Sequence, residues 1–316
     1  VTIRHGILLY ICFCHNNLLL WQGQMSRVLV GKKIYLVEGS KFMKKVLKLA
    51  LCAALALGLL ITAIGCGQQQ PKTFKVGLEC GYAPFNWTQP DDSNGAVPIS
   101  GSNEFAGGYD VEIAKIIAEG LGRELVIVKT AWDGLTPAVQ SGTIDAIIAG
   151  MSPTADRKLT LDFSDPYYRS DLVIVVRKGS PYEKATSIQD FAGAKITAQL
   201  NTFHYTVIDQ IKGVQKMAPM DDFPAMRVAL ESGIIDGYVS ERPEGISAST
   251  ANPKFAMVEF AKGQGFEASD EDVAVAVGFK KGNPDIKRVN EILAGISEEQ
   301  RQAMMDEAIK NQPAGQ

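Results

Sequence analysis

Three histidines and five cysteines are the residues of this 316-residue chain readiest to do chemistry, and their spacing offers little. The cysteines stand at 12, 14, 52, 66 and 80. Cys12-Phe13-Cys14-His15 has the residue types of a metal site, but no second ligand pair follows at zinc spacing. A disulfide framework needs an even set inside the folded part, where Cys80 stands alone. His204 has no partner in the sequence that would make a nucleophile–base set. The phosphate-cradling P-loop and the dinucleotide glycine pattern are both missing. These residues point away from catalysis and cofactors, and toward non-covalent recognition.

Composition narrows the partner. Apolar residues make up 46% and charged residues 21%, enough to bury a real core, and the length allows two ordinary domains. Net charge is −3 with Lys and Arg scattered, so no basic stripe marks a nucleic-acid partner.

The elements that must position a site alternate. Strands are expected at Phe74–Glu79, Leu125–Lys129 and Asp145–Ala149, then at Ala194–Leu200, Val214–Ala218, Ile234–Ser240 and Lys254–Phe260. Helices between them are expected to start at Asp110, Asp133, Asn201/Thr202, Asp222 and Pro243, with later ones opened by Asn283-Pro284 and Ser297-Glu298-Glu299. This is the pattern of βαβ units and largely parallel sheet. Ser141-Gly142-Thr143-Ile144-Asp145 is echoed by Ser232-Gly233-Ile234-Ile235-Asp236, each a helix end leading into a strand. The same unit thus occurs once in each half, and two such lobes place ligands beyond the carboxyl ends of their strands. Crossings between lobes are expected at Asp171–Arg177 and Asp272–Phe279. Lobe 1 would then be residues 73–177 plus 271–316 and lobe 2 residues 178–270, and two crossings make a hinge.

The amino-terminal part reads as an address. Met43-Lys44-Lys45 and Lys48 give a basic start, Leu49 to Ile64 an apolar middle, and Gly65-Cys66 a small-residue cut, the marks of a secretory signal over 43–65. Ala63-Ile64-Gly65-Cys66 resembles a bacterial lipobox, which would lipidate Cys66 and leave 66–72 as a polar tether. A membrane-spanning anchor is the alternative. Residues 1–42 are read as a start placed too early, since codons for Val37-Glu38-Gly39 can hold a ribosome-binding sequence ahead of Met43.

Three further blocks carry a family resemblance. Gly77-Leu78-Glu79-Cys80-Gly81-Tyr82-Ala83-Pro84-Phe85, Gly108-Tyr109-Asp110-Val111-Glu112-Ile113-Ala114 and Ala149-Gly150-Met151-Ser152-Pro153-Thr154-Ala155-Asp156-Arg157, with Asp162-Phe163-Ser164-Asp165-Pro166-Tyr167-Tyr168, resemble the polar-amino-acid solute-binding proteins of ABC transporters. The resemblance runs from about residue 73 to 310. It implies an α/β, two-lobed, periplasmic-binding-protein-like type II fold with mixed, mostly parallel sheets and two hinge crossings. It also implies that Arg157 grips the α-carboxylate of an amino acid, for which a planar, permanently charged guanidinium is suited. Gly150 and Ser152 match positions offering a carbonyl to the ammonium and a hydroxyl or amide to the carboxylate. Thr202 and Phe203 occupy a strand-to-helix turn aimed at the carboxylate, with Asn201 and Phe203 departing from the family's usual Gly and hydroxyl residue. Glu241 stands where an aspartate usually meets the ammonium. Tyr82 and Trp132 match an aromatic pair that sandwiches the ligand's side chain, and Glu79 a position that holds a cationic tip. Asp133 reads as a helix cap.

The expected function is an extracytoplasmic lipoprotein, monomeric and without cofactor, that delivers a polar or cationic amino acid to an ABC permease. Lysine, arginine or ornithine is favoured, with a neutral polar amino acid such as glutamine as the alternative. An enzyme of the same fold, resembling cyclohexadienyl or arogenate dehydratases, is the rival class, and a sensory domain a third. The polar stretch 88–107 has no functional account in the sequence.

Overall fold

The computed structural model describes residues 72–313. The leader and Cys66 lie outside them, and among the described residues no helix is long and apolar enough to cross a membrane.

The first lobe opens with β1 (Thr73–Leu78), whose Phe74, Val76 and Leu78 are fully buried. Four short antiparallel strands follow: β2 (Gly81–Tyr82), β3 (Asn86–Gln89), β4 (Val97–Pro98) and β5 (Phe105–Gly107). Here lies the polar stretch 88–107. Ile99 bridges Ile127 and Ser100 N–H donates to the Ile127 carbonyl, so the stretch covers what would otherwise be an open sheet edge. Then come α1 (Tyr109–Gly120), β6 (Glu124–Lys129), α2 (Trp132–Ser141), β7 (Ala146–Ile147), the single turn α3 (Ala155–Lys158) and β8 (Leu161–Phe163). α1 buries Val111, Ile113, Ala114 and Ile117, the helical spacing expected of a core face.

The chain crosses through β9 (Tyr168–Arg169) into β10 (Leu172–Arg177) and the second lobe. There β11 (Lys195–Thr197), α4 (Phe203–Val207), β12 (Gln215–Lys216), α5 (Phe223–Glu231), β13 (Gly237–Glu241), α6 (Arg242–Ala251) and β14 (Phe255–Val258) follow. It returns through β15 (Ala274–Val275), which pairs antiparallel with β9, to β16 (Gly278–Lys280), α7 (Ile286–Ala294) and α8 (Glu298–Asn311). The hinge therefore lies at the β9–β15 pair. Asp171–Arg177, expected as a crossing, is instead a sheet strand whose residues pair with β13 on one side and β14 on the other. Its unbroken apolar run is the mark of a strand buried on both faces.

The two main sheets share one topology. Their orders are β6-β1-β7-β16-β8 and β12-β11-β13-β10-β14. In each, three strands run parallel and the fourth, arriving from the other lobe, is antiparallel. The sequence echo marks equivalent strands, β7 and β13, and its aspartates do the same work. Asp145 accepts from Lys75 N–H at 2.8 Å while its own N–H donates to the Lys75 carbonyl. Asp236 accepts from Lys195 N–H at 2.9 Å and donates back to the Lys195 carbonyl. Each clamp fixes the register of the central strands, on which the placement of every loop beyond them depends.

Two expected caps fail for a physical reason. Gly108, not Asp110, precedes α1, and Asp110 is buried, accepting from the Tyr167 hydroxyl at 2.6 Å and from Asn86 Nδ2 at 2.9 Å. Burial pushes its carboxyl up to about 7 against the pull of those two bonds. Asp133 makes no cap bond either. Asp222 and Ser297 do cap α5 and α8 through Ala225 N–H and Gln300 N–H.

Because the clamps are equivalent but Asp236 also accepts from Arg177 at 3.0 Å, Asp236→Ala should cost more than Asp145→Ala. Urea unfolding should show a loss of about 1–2 kcal/mol for Asp145→Ala and more for Asp236→Ala. Equal stability of Asp145→Ala and the unaltered chain would show that the clamp does not hold the register.

Candidate functional site: a cleft between two sheets

Every candidate residue but one comes from the segment following the carboxyl end of a parallel strand. Glu79 and Tyr82 follow β1, Trp132 follows β6, and Gly150, Ser152 and Arg157 follow β7. From the other lobe, Thr202 and Phe203 follow β11. Glu241, the exception, is the last residue of β13 itself. The topology brings them together: Tyr82, Trp132, Gly150, Ser152, Arg157, Thr202 and Phe203 all line one narrow cavity of about 10 Å³. That is room for about one water, so an amino acid enters only when the two lobes part. Gly150 has φ +62°, and a Cβ there would lie 2.5 Å from Tyr82 Cε1, so the loop can pass under the ring only as glycine.

Arg157 projects from α3, whose backbone N–H donates to Thr154 Oγ1. Its Nη1 donates to the Ser152 carbonyl at 3.0 Å and its Nη2 crosses the cleft to the Asn201 carbonyl at 3.1 Å. The guanidinium lies over the Trp132 ring, 4.9 Å from its centroid. Burial pulls it down to about 10 while Glu241 pulls it back up, so it stays charged at neutral pH.

Glu241 is 1% exposed. Its Oε2 accepts from the Tyr82 hydroxyl of the other lobe, and its Oε1 lies 3.6 Å from His204 Nε2. Arg157 thus lines the crevice from one lobe, and Glu241 of the other lobe stands directly behind its Tyr82 and His204 walls. Two more bonds close the seam: Gln199 Nε2 donates to Glu79 Oε1 at 2.9 Å, and Asn201 Nδ2 donates to Asp133 Oδ1 at 2.8 Å. Asp133 is a cross-cleft acceptor, in place of the cap the sequence suggests.

Three expectations change. Tyr82 is stacked between Phe85 (4.9 Å, 24°) and Phe223 (4.3 Å, 16°), so its faces are already covered and it presents its edge and hydroxyl. Sandwiching a ligand is not open to it in this arrangement. Glu79 stands behind Gln199, which lines the cavity in its place. Burial, with Asp222 and Asp133 nearby, pushes the Glu79 carboxyl up to about 8. Thr202 spends its hydroxyl on the Gln199 carbonyl at 2.7 Å, which shapes the turn.

Sequence reasoning missed Gln199, His204 and Phe223 as lining residues. Phe223 opens α5 directly after the Asp222 cap, and His204 follows the β11 turn, so strand-end position was the available signal. A wider groove bounded by Lys158, Asp162, Arg169 and Lys281 lies apart from these residues. Both of its lysines are already paired, Lys158 with Glu271 and Lys281 with Asp162.

Comparison with known proteins identifies the fold and the family. A Campylobacter jejuni protein named as a probable histidine-binding protein is 30% identical over 239 residues, 75% of this chain and 84% of its own. The Escherichia coli L-cystine-binding protein TcyJ is 30% identical, over 72% of this chain and 78% of its own. The solved Streptococcus pneumoniae amino acid ABC transporter substrate-binding protein AbpA, bound to L-arginine, superposes with a TM-score of 0.64 at 26% identity, covering 76% of this chain and 95% of that one. The fold is the two-lobed type II periplasmic-binding-protein fold, and these relatives bind solutes; they are not enzymes. A family model for bacterial extracellular solute-binding proteins, family 3, matches residues 74–309, and the chain belongs to that family.

Proposed function

We propose that the protein captures one free L-amino acid outside the cytoplasm and presents it to the permease of an ABC importer. The observation that supports this is a cavity lined by Arg157, with Glu241 buried just behind its Tyr82 and His204 walls, a pair of charges that suits a molecule bearing both a carboxylate and an ammonium. Micromolar capture needs about 8 kcal/mol, within reach of a few charge-assisted bonds in a closed cleft. The relatives named for histidine, cystine and arginine share that α-amino-acid end and differ in side chain.

A cationic side chain is the preferred ligand chemistry. Glu79, Asp133 and Asp222 set three carboxylates at one end of the cleft, and the raised Glu79 carboxyl marks a site that a cation would relieve. Gln199 also offers amide groups there, which is the feature a neutral side chain such as glutamine's would use. Anchoring through a lipid on Cys66 and a monomeric state complete the proposal. The anchor is supported by the sequence pattern from Met43 to Cys66.

A calorimetric panel of the twenty amino acids plus ornithine should give binding for a single chemical cluster. Arg157→Ala should weaken the best ligand by at least about 2 kcal/mol, roughly thirtyfold, with the thermal midpoint little changed. Unchanged affinity in that variant would refute the carboxylate role.

Glu79 supplies a second test. Its carboxyl titrates at about 8, and a cationic side chain is held by the ionised form, so binding arginine displaces a proton. The ratio of arginine to glutamine affinity should therefore rise between about pH 6 and about pH 8.5 and then level off. The α-groups are common to both ligands and cancel in the ratio. Glu79→Gln should flatten it; a ratio independent of pH in the unaltered chain would rule out a Glu79–cation contact.

A further inference from the structure

Resting on the amino-acid reading above, we propose that His204 forms the ammonium seat jointly with Glu241. Its neutral imidazole accepts one N–H of the ligand's α-ammonium while the carboxylate takes another. His204 is 6% exposed, lines the cavity and packs against the Phe203 ring at 4.5 Å, yet neither ring nitrogen has a hydrogen-bond partner. Burying an imidazole unpaired is costly, and a polar group left so at a cavity wall is one the ligand completes.

The geometry says which part of the ligand. Tyr82 occupies Oε2 of Glu241, leaving Oε1, and Oε1 lies 3.6 Å from His204 Nε2. That is too long for a hydrogen bond between them, but a nitrogen about 2.9 Å from each closes a triangle over the gap. A group at that apex must donate twice, which a primary ammonium does.

Charge agrees. Arg157 is the one permanently charged side chain among the cavity's lining residues, and Glu241 stands just behind the wall. Glu241 comes from β13, Tyr82 from the β1 side, Glu79 reaches the cavity through Gln199, and Asp110 lies behind, within reach of the Glu241 charge. With neutral His204, Arg157 and Glu241 match the two charges of a zwitterion one for one.

The test is calorimetry with the same amino-acid panel on the unaltered protein, His204→Gln and His204→Leu. Glutamine can still accept a hydrogen bond where leucine cannot. His204→Leu should lose at least about tenfold in affinity for the best ligand, and His204→Gln should stay within about threefold of the unaltered protein. A His204→Leu variant that binds as tightly as the unaltered protein, or a His204→Gln variant that loses as much as His204→Leu, overturns the assignment alone. If the unaltered protein binds no amino acid, the reading beneath this one falls and takes it along.

Discussion

A guanidinium on one lobe and a buried carboxylate on the other, close enough to feel each other's charge, is the constraint on which the rest of the structure depends. Neither charge is satisfied as an isolated buried ion. Arg157 rests on two backbone carbonyls and the Trp132 face, and Glu241 on the Tyr82 hydroxyl. Two of these props, the Ser152 carbonyl and the Trp132 face, come from the residue's own lobe; the Asn201 carbonyl and the Tyr82 hydroxyl reach across. The seam is thus closed by bonds to the very groups proposed to recognise the ligand. Each such bond is worth about 1 kcal/mol net, small enough for a zwitterion to replace.

Everything upstream serves that opposition. Six parallel strands, three per sheet, aim their carboxyl ends at the crevice. The Asp145 and Asp236 clamps fix strand register, and Gly150 lets the β7 loop run under Tyr82. The hinge is small, a two-residue antiparallel pair, and is tied down from behind: the Tyr109 hydroxyl donates to the Tyr167 carbonyl, and Arg301 Nη1 to the Pro166 carbonyl. Those ties end at β9, so motion between the lobes has only the β9–β15 pair and its flanks to bend.

Much of this was legible in the chain. The Ser-Gly-x-Ile-Asp echo marked equivalent strands because one structural task, clamping the first strand of each sheet, calls for one residue. Strand ends told where the site would be. What the sequence withheld is how side chains divide their contacts. Asp110 and Asp133 look like helix caps in one dimension, since an aspartate at a helix start usually is one; burial and the facing lobe claim them instead. Tyr82 reads as a ligand platform until Phe223, which lies 141 positions along the chain, is found covering it. His204 reads as an isolated histidine because its partner, Glu241, is brought near only by the β11–β13 pairing.

The most direct test of the opposed-charge account removes one ligand charge at a time. The best-binding amino acid should be compared with its decarboxylated and its deaminated counterparts on the unaltered protein. Both should lose at least about 2 kcal/mol, roughly thirtyfold, because each leaves Arg157 or Glu241 facing no opposite charge in the ligand. Either counterpart binding as tightly as the parent amino acid would contradict the clasp between the two lobes.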